Sequence, residues 1–215
     1  MDEPVATTQG STVEEWTLAL AESTGSPGGG AGTGLMLAVA ASLTSMVAGY
    51  SGDDGGEPAS IRGRAQALRR EALRLADDDA SASKAFGAAF RLEPGPERDE
   101  AIRRASVEAA ASSAVLGGQA IEAIDDLAWL AAHGNRSLVA DVVVAFGALR
   151  AALAGARTNV SFDLGSLRSS GSSLEQVRDQ HPDLWAAVGK LNQAMDRIDT
   201  LAADIDHRAA PTDAA

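Results

Sequence analysis

Apolar residues recur along this chain at steps of three and four, and strict alternation never persists. That period belongs to helices, so helix is predicted throughout. Even the β-branched run Val142-Val143-Val144 sits inside an alanine-rich helical pattern. A first helix is capped by Ser11 or Thr12, carries Val13, Trp16 and Leu20 on one face with Glu14 and Glu15 in its first turn, and ends near Thr24-Gly25. Pro27 opens a second helix, apolar nearly all round from 35 to 47 and therefore expected to be the most buried. Residues 50–56 read as a loop.

A third helix over 58–92 puts Ile61, Leu68, Ala72 and Leu75 on one stripe, and Glu93-Pro94-Gly95-Pro96 ends it. A fourth, over 97–132, runs through Ile102, Ala109, Leu116, Ile124 and Leu127. Gly117-Gly118 marks a bend or a close crossing in it, and His133-Gly134-Asn135 stops it, with the glycine expected in the left-handed conformation. A fifth covers 136–159. The last, interrupted near Pro182, carries Leu184, Val188, Leu191, Met195, Ile198 and Ile205 as a seam that asks for a helical partner. The expected architecture is all-α: an up-and-down bundle of five to six long helices. It forms one domain over 11–207, with tails at 1–10 and 208–215 too poor in apolar residues to stay ordered.

The glycines at the mouth of the second helix, in Ser26-Pro27-Gly28-Gly29-Gly30-Ala31-Gly32-Thr33-Gly34, need a reason, because glycine is a poor helix former. Either a ligand reaches backbone N–H groups at the helix N-terminus, or a neighbouring helix packs closely. A phosphate-binding loop is excluded, since Ala31 follows Gly30 where the lysine belongs and no strand precedes it. The dinucleotide spacing of glycines is absent as well.

Charge and composition narrow the partners. A net charge of -12 argues against nucleic acid, which needs a basic stripe. No cysteine is present, so disulfides and thiolate chemistry are out, and a reducing compartment fits. The first twelve residues lack the features of a secretory signal, and the apolar stretch 35–48 is shorter than a membrane span, so a soluble cytoplasmic protein without a membrane partner is expected. His133, His181 and His207 stand in no ligand spacing, and no metal site is expected.

Pro27-Gly28-Gly29-Gly30 opening a small-residue helix resembles the cyclodeaminase/cyclohydrolase family, that of the formiminotransferase-cyclodeaminase C-terminal domain and of methenyltetrahydrofolate cyclohydrolases. Further matches follow in order. Asp79-Ala80 with Phe90-Arg91-Leu92 resembles the family's Asp-Ala…Tyr-Arg-Leu-Pro helix, Gly134-Asn135 with Asp141 its Gly-Asn…Ser-Asp segment, and Asn159-Val160-Ser161-Phe162-Asp163-Leu164 its Asn-Val-x-Ile-Asn-Leu. The chain departs from the pattern at Tyr50-Ser51-Gly52-Asp53-Asp54, acidic where the family often carries lysines, at Ser83 in place of a bulky aromatic, and at Asp163 in place of the second asparagine.

The resemblance implies a homodimeric enzyme of one-carbon folate metabolism, either closing the ring of formiminotetrahydrofolate with loss of ammonia or hydrating the methenyl bridge, with no metal or redox cofactor. A helical homodimer that keeps the scaffold without folate chemistry is the alternative. Both reactions pass through a tetrahedral carbon between two nitrogens and need a proton donor or acceptor and a carboxylate facing a cation. Asp141 and Asp79 are the expected catalytic carboxylates, with Gly28, Gly29, Gly30, Arg91, Asn135 and Asn159 binding substrate. Each has a plainer reading. Asp141, inside an apolar stretch, pairs with an arginine such as Arg91 or Arg136; Asp79, after Asp77 and Asp78, belongs to a solvated acidic face; Asn135 stops a helix, Arg91 favours a helix dipole, and Asn159 caps the helix it ends. Trp16, Trp129 and Trp185 read as core or interface anchors.

Overall fold

The computed structural model describes residues 6–23, 26–52, 56–169 and 172–206. Seven α-helices and no strand occur among them: α1 (Val13–Ala21), α2 (Gly29–Gly49), α3 (Glu57–Ala89), α4 (Pro96–His133), α5 (Val139–Ser169), α6 (Leu174–Gln180) and α7 (Pro182–Asp206), with a 3-10 turn at Arg136–Leu138 before α5. Helices α2 to α5 run up and down, and α7 packs along α4 and α5. The partner that its apolar seam requires therefore lies within the chain, where Leu191 and Ile198 are buried in the main core.

Helix α2 has apolar residues around its whole circumference because α3 and α5 both cover it. By length and hydropathy α2 and the 136–168 stretch also pass as membrane spans, a test that a core helix meets equally. The main core joins Leu37 and Val47 of α2, Ile61 and Leu75 of α3, Ile124 and Leu127 of α4, and Phe146, Leu149 and Leu153 of α5.

Small residues set the helix spacings. A Cβ at Gly34 would stand 2.7 Å from the Ala76 Cβ and 3.0 Å from the Ala72 carbonyl, so α2 and α3 touch backbone to backbone there. The Gly117-Gly118 pair marks a close crossing at Gly117, whose missing Cβ makes room for Leu191 and Ala156.

Several boundaries differ from the sequence reading. Helix α2 starts at Gly29 rather than Pro27, with Gly28 as an N-cap that offers no side chain. Helix α5 does not stop at Asn159 but continues ten residues to Ser169, carried by Val160, Leu164 and Leu167, which pack against Val177 of α6. Gly134 is extended rather than left-handed, with φ -73° and ψ -176°. Of the expected N-terminal tail, residues 6–10 are placed: the Thr8 N–H and the Gln9 amide donate to Asp77, and the Trp16 indole N–H donates to the Thr8 hydroxyl. Helix α1 ends at Ala21, with Glu22 extended, short of the expected end at Thr24-Gly25; Thr24-Gly25 and the 208–215 tail lie outside the described residues.

Candidate active site

The start of α2, the later part of α3, the middle of α4 and the later part of α5 converge on one cleft of about 230 Å³. Antiparallel packing produces this convergence. Residues near the N-terminus of α2 meet those far along α3, and residues far along α5 meet the same end.

Three consecutive aspartates on α3 have three fates. Asp77 holds residues 8 and 9, Asp78 pairs with Arg74, and Asp79 turns inward and is only 8% exposed. The solvated-face reading of Asp79 is thereby overturned. Its carboxylate presses against the first turn of α2, where a Cβ on Gly30 would lie 2.2 Å from both carboxylate oxygens. Any side chain at position 30 would thus collide with Asp79, whereas Gly29 has open space beside it. Burial raises the Asp79 pKa, while the Ser83 hydroxyl and the Ala31 backbone N–H donate to the carboxylate and oppose that rise. The uncapped N-terminus of α2 adds its positive dipole end.

From α5, Asn159 and Asp163 face the cleft one turn apart, with Ser113 of α4 beside them. Asp163 receives no hydrogen bond among the described residues, and burial, reinforced by the negative charge of Asp79, lifts its pKa to about 7. The rim is aromatic. Phe162 is 76% exposed at the edge, and Phe86 lines the cleft with its ring 4.9 Å from that of Phe90. The floor therefore offers two carboxylates, an amide and hydroxyls, and no lining residue is cationic. Such a cleft can hold a planar cationic group and move protons at it.

The other expected site residues lie elsewhere. Asn135 caps the 3-10 turn: its side chain accepts from the Ser137 N–H and donates to the Tyr50 carbonyl, and its own N–H donates to the Ser51 hydroxyl. That places the Gly134 turn at the far end of α2. Asp141 sits in the first turn of α5, half-buried, and neither Arg91 nor Arg136 pairs with it among the described residues. Eighteen residues of helix separate it from Asn159, about 27 Å along the axis. Arg91 is exposed in the turn after α3, outside the cleft. Within one chain, then, Gly29, Gly30, Asp79 and Asn159 come together with Gly28 adjacent, whereas Asn135, Asp141 and Arg91 do not join them. Asp163, Ser83 and Ser113 complete the cleft. The first two stand in the sequence only as departures from a motif, and nothing in the sequence singles out Ser113.

Two larger grooves lack this combination. One, of about 490 Å³, is flanked by the ion pairs of Arg64 with Glu57 and Asp126. The other, of about 560 Å³, is lined by Arg62, Arg69 and Arg70 near Gly49, nineteen residues or about 28 Å along α2 from Gly30. Among the described residues no group of three or more histidines and carboxylates is placed to hold a metal ion. Trp16 is a core anchor against Ala31 and Ala76, Trp129 stacks on His133, and Trp185 is 40% exposed.

The family model described as formiminotransferase-cyclodeaminase matches residues 12–181. The chain belongs to that family. The glycine turn, α3, the Gly134 turn and the Asn159 segment all fall inside the match. The solved structure of formiminotetrahydrofolate cyclodeaminase from Thermotoga maritima shares the fold of this family member with a TM-score of 0.75, at 22% identity, over 92% of this chain and 98% of that one. No curated protein shows significant sequence similarity to the chain.

Proposed function

We propose that this family member is an enzyme of one-carbon folate chemistry, a methenyltetrahydrofolate cyclohydrolase or a formiminotetrahydrofolate cyclodeaminase, working at the Asp79 cleft. The observation that carries the reading is the buried Asp79 carboxylate against the glycine turn of α2, in a cleft with no cation of its own. The family match and the fold of the Thermotoga maritima cyclodeaminase support it.

Both reactions pass positive charge over an N–C–N unit, and a carboxylate beside that unit stabilises the charged form. Asp79 is the carboxylate beside that unit; burial raises its pKa, and the Ser83 hydroxyl and the Ala31 N–H oppose the rise by donating to its ionised form. Asn159 supplies an amide that both donates and accepts, suited to the edge of a fused heterocycle. The cleft volume fits only the reacting end of such a ligand, so the rest extends past Phe162 into solvent. A homodimer belongs to the same proposal; Val13 and Leu18 on α1, Val115 on α4 and Phe162 at the cleft rim are apolar side chains open to cover.

The departure at 50–54, acidic where the family often carries lysines, favours the second reading, a scaffold that has left folate. The two are separated by following methenyltetrahydrofolate spectrophotometrically with the purified protein. Enzyme-dependent decay supports the first reading; no decay together with no folate binding by calorimetry overturns it.

A further inference from the structure

The cleft brings two carboxylates together without a cation, and their surroundings are unequal. Asp79 receives the Ser83 hydroxyl and the Ala31 N–H. Asp163 receives no hydrogen bond among the described residues, and its neighbour one turn back, Asn159, is neutral. Among the described residues no other titratable or charged side chain lines the cleft. α2 contributes only Gly29 and Gly30, and α4 only Ala109 and Ser113. On α3, Lys84 is exposed and outside the cleft; on α5, Arg157 turns a terminal nitrogen to the Thr158 hydroxyl. Two carboxylates that line one partly dry cleft and repel each other favour keeping one proton between them, and the group without donors is the better place for it.

We propose that Asp79 and Asp163 form a proton-sharing pair in which Asp163 carries the proton, and that the cleft takes a planar delocalised cation in exchange for that proton. On binding, the cation enters and Asp163 releases H⁺ to solvent, so the cleft's net charge stays at minus one. The phenyl rings of Phe86 and Phe162 at the rim suit the flat face of such a cation. Asp163 is the residue that departs from the asparagine of the family motif, so the exchange is a property of this chain.

The proposal rests on the folate reading only for the identity of the reaction. If that reaction is hydration of a methenyl bridge, both carboxylates are ionised in the complex. Water adds to the central carbon and its proton goes to Asp163. In the collapse, the hydroxyl proton passes to Asp79 while Asp163 gives its proton to the leaving nitrogen, and the C–N bond breaks. The pair ends with one proton on Asp79, which passes to Asp163 once the neutral product leaves and is displaced there by the next cation. The sum is cation plus water giving neutral product plus H⁺.

The test uses benzamidinium, a planar delocalised cation, in calorimetric titrations of the full chain at pH 6 and pH 9 in buffers of different ionisation heat. Close to one proton should be released per cation bound at pH 6 and close to none at pH 9. Asp163→Asn should bind without release at either pH, and benzamide, the neutral isostere, should bind at least tenfold more weakly than the cation. Carboxyl carbon NMR of the unmodified protein, which needs no variant to fold, should show one cleft carboxyl titrating near neutrality. Failure of benzamidinium to bind, binding at pH 6 without proton release, or unchanged release in Asp163→Asn each overturns the proposal. Proton exchange without folate turnover would overturn the folate reading alone; turnover without exchange would overturn this proposal alone.

Discussion

Replacing Asp163 by asparagine removes an ionisable group that the fold holds in its unfavourable range, and the stability gained must depend on pH. The Asp163 carboxyl titrates at about 7 in the native state against an ordinary 3.8. The native state therefore binds the proton more tightly than the unfolded chain. Native stability then falls as pH rises from about 4 to about 7 and levels off above, because only the unfolded state ionises freely in that window. A gap of about three pH units at about 1.4 kcal/mol each sets a ceiling near 4 kcal/mol. Asp163 borders an open cleft, and solvent screening brings the expected figure down to about 1–2 kcal/mol. For a chain of this size that is a rise of about 2–8 °C in melting temperature at pH 8.5, with much less at pH 5. Thermal unfolding followed by far-UV circular dichroism at the two pH values measures it directly. A difference between variant and parent that is equal at pH 5 and pH 8.5 would refute the electrostatic account of the cleft, whatever its sign.

Gly30→Ala would set a Cβ 2.2 Å from the Asp79 carboxylate and should cost about 1–3 kcal/mol in urea unfolding. In an Asp79→Ala background most of that penalty should vanish, since the colliding oxygens are gone. Asn135→Ala loses the side-chain bonds to Ser137 and to Tyr50 and should cost about 0.5–2 kcal/mol by the same measurement. Asp141→Asn removes a first-turn charge with no ion-pair partner among the described residues and should cost about 1 kcal/mol or less.

The helices are legible in the sequence because one stripe of apolar residues suffices to place each: Ile61, Ala72 and Leu75 for α3, Leu191 and Ile198 for α7. Their pairing is not. Asp141 draws attention because a charge inside the stretch 138–146 looks expensive, yet at the first turn of α5, half exposed, it sits where a helix dipole favours it. Asp79 looks ordinary beside Asp77 and Asp78, because only the three-dimensional path of the chain decides which of three aspartates turns inward. Asn159 reads as a helix end because Arg157-Thr158-Asn159 interrupts the apolar pattern; Val160, Leu164 and Leu167 restore it and bring Asp163 to the cleft. Of the two roles open to the glycine segment, close helix packing is met at Gly34, while Gly30 makes room for the chain's own Asp79 carboxylate.

The most direct test of the account compares two aspartates at opposite ends of α5 and its neighbours. With methenyl- and formiminotetrahydrofolate as substrates, Asp79→Asn should lower kcat by about 10²-fold or more, the scale of a lost acid–base group, and Asp141→Asn should keep the parent's turnover. Turnover that survives Asp79→Asn and fails in Asp141→Asn would place the chemistry at the Gly134 end and contradict the assignment of the cleft.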